Sequence, residues 1–226
     1  MTGFISALLP NLDRLSEELV ECIVQTATMV AVSGTIAWVL GVFFGILLVV
    51  TRPGGIMSKP WLFFTIDRSI DVLRAIPFII LIVLLIPLSR FLVGTGSGVT
   101  GSFVALVVGT VPFFARQIES VLSDVDPGLV ECSLAMGFSP LETIREVYLK
   151  ESVPGITRVT MITFVSFVGI TAIAGAIGAG GIGDFAIRYG YQMGYRDMIW
   201  LCVAIILFVI SVFQFFGNII VKKTTH

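Results

Sequence analysis

Charge is what this sequence has least of. Only 13% of its 226 residues are Asp, Glu, Lys or Arg, whereas 56% are hydrophobic. Soluble domains carry about 25% charged residues, so the deficit places the chain in a bilayer. Fourteen basic residues against 15 acidic ones leave a net charge of −1, without the basic excess of a nucleic-acid binder. Histidine occurs once, as His226, which excludes a His-based metal or acid–base centre. The three cysteines, Cys22, Cys132 and Cys202, are odd in number and far apart, with neither disulfide-framework nor metal-ligand spacing. No G-x-x-x-x-G-K-[ST] occurs, so there is no Walker-type phosphate cradle. Nor is a cleavable signal peptide expected from the first residues. Asp13, Glu17, Glu18 and Glu21 stand where a basic and then an apolar region would be required. The first span is expected to act as its own uncleaved signal.

Long apolar runs fill the chain instead. A spanning helix needs about 20 mainly apolar residues. Five segments qualify: Thr26–Val50, Leu73–Val93, Thr100–Ile118, Thr160–Gly180 and Ile199–Val221. The expectation is an all-α membrane protein of about five transmembrane helices, with no internal repeat. Residues 1–25 form an N-terminal amphipathic segment, with a short surface helix over 4–21, leading into the first span. The membrane domain covers 26–221 and a short tail 222–226, and no regulatory domain is expected after the last span.

Basic residues set the expected orientation. With a cytoplasmic C-terminus, that side receives Arg52, Lys59, Arg68, Arg74, Arg116, Arg145, Lys150, Arg158, Lys222 and Lys223. The outside receives only Arg14, Arg90, Arg188 and Arg196. This distribution follows the positive-inside tendency. The N-terminus is therefore expected outside, and the loop at 119–158 inside.

That loop carries its own capping signals. Asp126 can cap a helix whose first residue is Pro127, where a missing N–H costs nothing. Gly137 can adopt the left-handed conformation that ends it. Ser139, Pro140 and Glu142 then form a capping box for a second helix, on which Glu146 and Lys150 make a favourable i,i+4 pair. The expected product is two short helices at an angle outside the membrane. On capping alone, it could be a connector or a docking element.

The residues within the loop resemble the EAA signature of ABC importer permeases. Glu131, Cys132, Ser133 and Gly137 match its first part, and Val147-Tyr148-Leu149 its second. Cys132-Ser133 replaces the usual alanine pair, and Lys150 stands where that signature has proline. Further stretches narrow the resemblance to the methionine importer permeases (MetI-type). They are Leu73–Phe78, Val93-Gly94-Thr95, Val111–Arg116, Gly178–Gly183 and Tyr189-Gly190-Tyr191. The similarity runs in order over residues 20–221 and implies a type I ABC importer permease core in a bacterial inner membrane. It also implies a homodimer, two ATP-binding-cassette ATPase subunits that use ATP and Mg, and an external binding protein, periplasmic or lipid-anchored. This chain would bind no cofactor and no nucleic acid, and its partners would be these proteins and membrane lipids. The resemblance assigns ATPase coupling to Glu131, Cys132, Ser133, Ala135, Met136, Gly137 and Phe138.

Several features keep two readings. Pro77 and Pro112 are either kinks re-satisfied by neighbouring groups or gate hinges. Arg74 and Arg116 either snorkel to headgroups or anchor helix ends against the coupling loop, and Glu119 and Asp124 are expected in solvent. Residues 178–183 match G-x-G-x-x-G, as do Gly96, Gly98 and Gly101. Both fall at external helix ends, without the strand that a dinucleotide site needs. Gly178, Gly180, Gly181 and Gly183 are instead candidate gate residues, while Gly175 and Ala179, with Gly169 and Ile173, would let helices approach closely.

Few ionisable residues lie away from the ends of the spans, which weakens an ion-coupled carrier as the alternative. Another alternative is a permease for a different small amino acid or related solute. A membrane enzyme lacks the necessary residues. Met161, Phe164, Phe167, Met193 and Met198 could line a methionine pocket or simply pack, so the substrate-binding residues stay unassigned.

Overall fold

The computed structural model describes residues 11–224, and every regular element among them is helical. Helix α1 spans Leu12–Thr51. The chain continues through α2 (Pro60–Ala75), α3 (Phe78–Leu84), α4 (Ile86–Val93) and α5 (Gly98–Ser123). A helical excursion follows, made of α6 (Pro127–Ala135), α7 (Pro140–Thr143), a wide π-type segment at Ile144–Tyr148, and α8 (Leu149–Glu151). Helix α9 (Val153–Ala174) ends in a kink at Gly175–Ala179 and gives way to α10 (Gly181–Phe185). A second π-type segment, Ala186–Gln192, precedes α11 (Arg196–Thr224).

Four helical stretches among the described residues are long and apolar enough to cross a membrane: Leu12–Thr51, Gly98–Ser123, Val153–Ala179 and Arg196–Thr224. The expected span at Leu73–Val93 is broken twice. Ile76 is extended (φ −82°, ψ 121°) because it precedes Pro77, and proline disfavours the helical region for its predecessor. Pro87 cannot donate to the carbonyl four residues earlier, and the chain breaks at Leu85, between α3 and α4. Pro77 is thus the N-cap of α3, while Pro112 lies inside the continuous α5.

The expected surface helix also differs. Residues 12–21 belong to the single 40-residue α1, and residues 4–10 lie outside the described part. No glycine or proline interrupts α1 before Gly34, and Leu15, Leu19 and Cys22 pack in a cluster with Ile182, Phe185, Met198 and Cys202. Burial of its apolar face therefore keeps this first part of α1 helical.

The chain divides into two compact units. One holds residues up to Thr35 together with Pro77–Val107 and Phe164–Val212. Its interior comprises the Cys22 cluster and a second one of Met29, Leu106, Phe167, Ala174 and Ala179. Asn11 donates to both carboxylate oxygens of Asp197, joining the starts of α1 and α11.

The other unit holds Ile36–Ile76, Val108–Thr163 and the residues from Phe213 onward. Here α1 and α5 touch through Gly41 and Gly45, a G-x-x-x-G pair. A Cβ at Gly41 would lie 2.5 Å from Phe114, and one at Gly45 2.5 Å from Ile118. Lipid is as apolar as the helices, so such close backbone packing must supply what the hydrophobic effect does not.

Candidate functional site

The excursion between α5 and α9 is built from its own caps. Asp126 accepts the Gly128 N–H at 2.8 Å, with Pro127 at the first position of α6. Gly137 has φ +89°, and the Phe138 N–H donates to the Ser133 carbonyl at 3.1 Å, which closes a Schellman ending. The Ser139 N–H donates to the Glu142 carboxylate at 2.7 Å while the Glu142 N–H donates back to the Ser139 hydroxyl, completing the capping box. Lys150 pairs with Glu146 on the following turn.

This hairpin is anchored from beneath. Val130 and Tyr148 enter a buried cluster with Val49 of α1, Phe114, Ile118 and Leu122 of α5, and Val159 of α9. A displacement of α6 therefore bears on three long helices of its unit through packed side chains. Ser133 is buried, donates to the Val130 carbonyl at 2.8 Å, and lies 3.2 Å from the Thr143 hydroxyl. It pins α6 to α7 and presents no docking surface. Glu131, Cys132, Ala135, Met136 and Gly137 are exposed, and Phe138 is half-buried. Leu129, Leu134 and Leu141 are exposed as well, so both short helices present apolar side chains.

Arg116 differs from the snorkelling expectation. Its guanidinium meets Asp67 at 2.5 Å and Asp71 at 2.8 Å on α2, and Glu119 at 2.7 Å on α5. Glu119 is therefore paired and largely buried, not a solvated residue, whereas Asp124 is exposed as expected. Sequence reasoning missed Asp67 and Asp71, although their i,i+4 spacing placed both on one face of α2.

The glycine segment behaves differently from a helix-contact stripe. A Cβ at Gly169 would meet open space, and Ile173 is exposed. A Cβ at Gly175 would meet the Gly180 carbonyl at 2.6 Å, and one at Gly183 the Ala172 carbonyl at 2.1 Å. These glycines let the chain fold back against its own helix. Gly178, Gly180 and Gly181 have φ of +98°, +85° and +81°. The fold-back is held from α1, where the Gln25 carbonyl oxygen accepts the Gly181 N–H at 2.7 Å and the Thr26 hydroxyl accepts the Ile182 N–H at 2.8 Å. Those two bonds satisfy N–H groups at the start of α10 that would otherwise be orphaned.

Both G-x-G-x-x-G matches border one cavity of about 240 Å³, which Gly96, Gly98 and Gly101 share with Gly178. Ile79, Ile82, Val83, Ile86, Ala174, Ile177 and Ala179 line most of the rest, and no charged side chain does. An apolar chamber of this kind gives a phosphate no counter-charge. Among the five residues weighed as a methionine pocket, Phe167 and Met198 are buried in cores, Met161 packs on Gly217, Phe164 is half-buried, and Met193 is exposed.

An all-helical, multi-span scaffold carrying a self-capped helical hairpin has the form of a transport subunit driven from outside itself. The sequence model of the binding-protein-dependent transport system inner membrane component matches residues 39–226. The chain is 36% identical over 202 residues to a probable D-methionine transport system permease protein MetI of Vibrio cholerae, covering 89% of this chain and 90% of that one. It is 43% identical over 138 residues to the D-methionine transport system permease protein MetI of Escherichia coli, covering 61% and 64%. A solved structure of the MetNI methionine ABC transporter in an inward-facing conformation superposes with a TM-score of 0.90 at 38% identity, over 94% of this chain and 99% of that one. The chain belongs to the family of binding-protein-dependent transport system inner membrane components. It is a pore-forming permease subunit of a bacterial ABC importer, and hydrolysis of ATP belongs to a separate subunit.

Proposed function

We propose that this permease moves methionine into the cytoplasm by alternating access, as a homodimer bound to two ATPase subunits and fed by an external binding protein. Methionine is supported by the D-methionine permeases and the methionine transporter to which the chain is similar over most of its length. The N-terminus is outside and the 119–158 loop cytoplasmic, in keeping with the distribution of basic residues.

The observation that carries the coupling role is the hairpin itself. Its exposed face, which carries Glu131, Cys132, Ala135, Met136 and Gly137, is capped at both ends, while Val130 and Tyr148 seat it against α1, α5 and α9. ATP binding closes the partner dimer, draws the two hairpins together and tilts these helices. Nucleotide must bind one state better than the other for this to happen. Ser133 contributes by holding α6 on α7, and the remaining coupling residues touch the partner. Pro77 and the segment containing Gly178, Gly180, Gly181 and Gly183 serve as hinges of the outer gate, and Pro112 as a bend within α5.

Co-expression with the ATPase and binding protein, reconstitution in proteoliposomes and uptake of labelled methionine test this reading. Uptake that requires ATP and all three proteins is expected. Glu131→Ala and Gly137→Val should lower uptake per ATP hydrolysed. Uptake without the ATPase, or a binding protein that retains another solute, would overturn it.

A further inference from the structure

Beside the start of α6 lies a cleft of about 440 Å³ formed by the end of α5, the first turn of α6 and the α8–α9 junction. Asp124, Asp126, Glu151 and Arg158 line it. None of the four makes an ion pair among the described residues. Three carboxylates against one guanidinium leave the cleft acidic. Asp126 also caps α6, so the positive end of that helix is already satisfied and does not invite an anion. Ser152 lines the same cleft, is only 4% exposed, and its hydroxyl has no hydrogen-bond partner. A buried polar group without a partner calls for explanation. The floor is closely packed, since a Cβ at Gly155 would lie 2.5 Å from Val121.

We propose that this cleft receives a lysine or arginine side chain of the ATPase subunit, making a second, electrostatic contact beside the α6 docking face. The inference rests on the importer reading above. An unpaired acidic cleft with an unsatisfied hydroxyl suits a cation that also donates hydrogen bonds. Its position next to Leu129, which both lines the cleft and is exposed on α6, makes it continuous with the proposed docking face. Asp124 and Glu151 supply the attraction, which the single guanidinium of Arg158 does not balance. Complementary charge of this kind fixes register and speeds assembly, and salt weakens it.

The test uses the co-expressed permease–ATPase complex in detergent, scoring ATPase retained on the tagged permease across a salt series. Asp124→Asn with Glu151→Gln should weaken retention about tenfold at low salt and flatten its salt dependence. Glu17→Gln with Glu18→Gln, the same change in charge elsewhere, should leave retention as in the wild type. A zero-length carbodiimide crosslink on the unmodified complex, mapped by mass spectrometry, should join Asp124 or Glu151 to an ATPase lysine or, if the cation is an arginine, be replaced by protection of that arginine from a dicarbonyl reagent. Equal retention by wild type and the cleft variant at every salt concentration would overturn the proposal, as would crosslinks only to a second copy of this chain. Failure of the wild type to retain any ATPase would overturn the importer reading, and this inference with it.

Discussion

The side chains that matter most here are few and polar, because in an apolar chain each must be satisfied. The Ser139 N–H, and then its hydroxyl, hold the Glu142 carboxyl below the usual carboxylate range. Lys150 does the same for Glu146. A carboxyl whose folded pKa is depressed contributes stability above its unfolded pKa, near 4.3, and loses it as pH falls through the lower folded value. Hydrogen-exchange protection in α7, corrected for intrinsic rates, should therefore be flat from neutral pH down to about 5 and fall below about 4. Glu142→Gln should remove the Ser139 share of that dependence. Arg116 poses the larger question. Replacing it by Ala leaves Asp67, Asp71 and Glu119 facing each other, with about a fifth of the Asp67 and Glu119 side chains and about half of the Asp71 side chain exposed. A loss of roughly 2–4 kcal/mol is expected from an uncompensated charge cluster, read as a lower melting temperature in detergent. Lysine should rescue only part, since a single ammonium cannot span three carboxylates as a guanidinium does.

At the scale of elements, sequence reasoning reached the caps and stopped short of the contacts. Asp126, Gly137, Ser139 and Glu142 specify the hairpin through local bonds, so its form was legible. Ser133 was not, because its burial depends on Thr143 arriving from the next helix. The break at Ile76 was implicit in Pro77, but hydropathy averaged across it and produced one span where there are three helices. Gly41 and Gly45 displayed a G-x-x-x-G signal that passed unnoticed within a long apolar run. The glycines after α9 drew a helix-contact reading; at Gly175 and Gly183 the close approach is made by the chain returning on itself, while Gly180 and Gly181 lie against Gln25 and Thr26 of α1. Two substitutions separate conformation from space there. Gly178 has open space around it, so Gly178→Ala carries only the left-handed penalty, about 1–2 kcal/mol. Gly183→Ala drives a methyl into the Ala172 carbonyl, which belongs to α9 and cannot rotate away. Its monodisperse yield should collapse while that of Gly178→Ala stays close to wild type.

For the molecule as a whole, hydropathy yielded a membrane domain and charge the expected side of its 119–158 loop, while the permease reading came from the resemblance. The number of spans and their direction require more than composition. Many large apolar side chains are exposed, and only 6% of the most apolar window of α11 is buried. Such surface is at home against lipid or another membrane subunit, not water. The native cysteines offer a way to fix direction without redesigning the chain. Cys132 is exposed on α6, while Cys22 and Cys202 are 3% and 2% exposed. A membrane-impermeant maleimide should therefore label one site. If the 119–158 loop is cytoplasmic, labelling appears in inside-out vesicles and is absent from spheroplasts, and Cys132→Ser abolishes it. Labelling of spheroplasts would invert the topology and detach α6 from any cytoplasmic partner. If α6 is the docking helix, the ATPase subunit should also shield the thiol, so vesicles holding the whole importer should label several-fold more slowly than vesicles holding the permease alone. Equal rates in the two preparations would leave the topology standing and remove Cys132 from the docked face. The two halves of the experiment thus separate where the loop lies from what it grips.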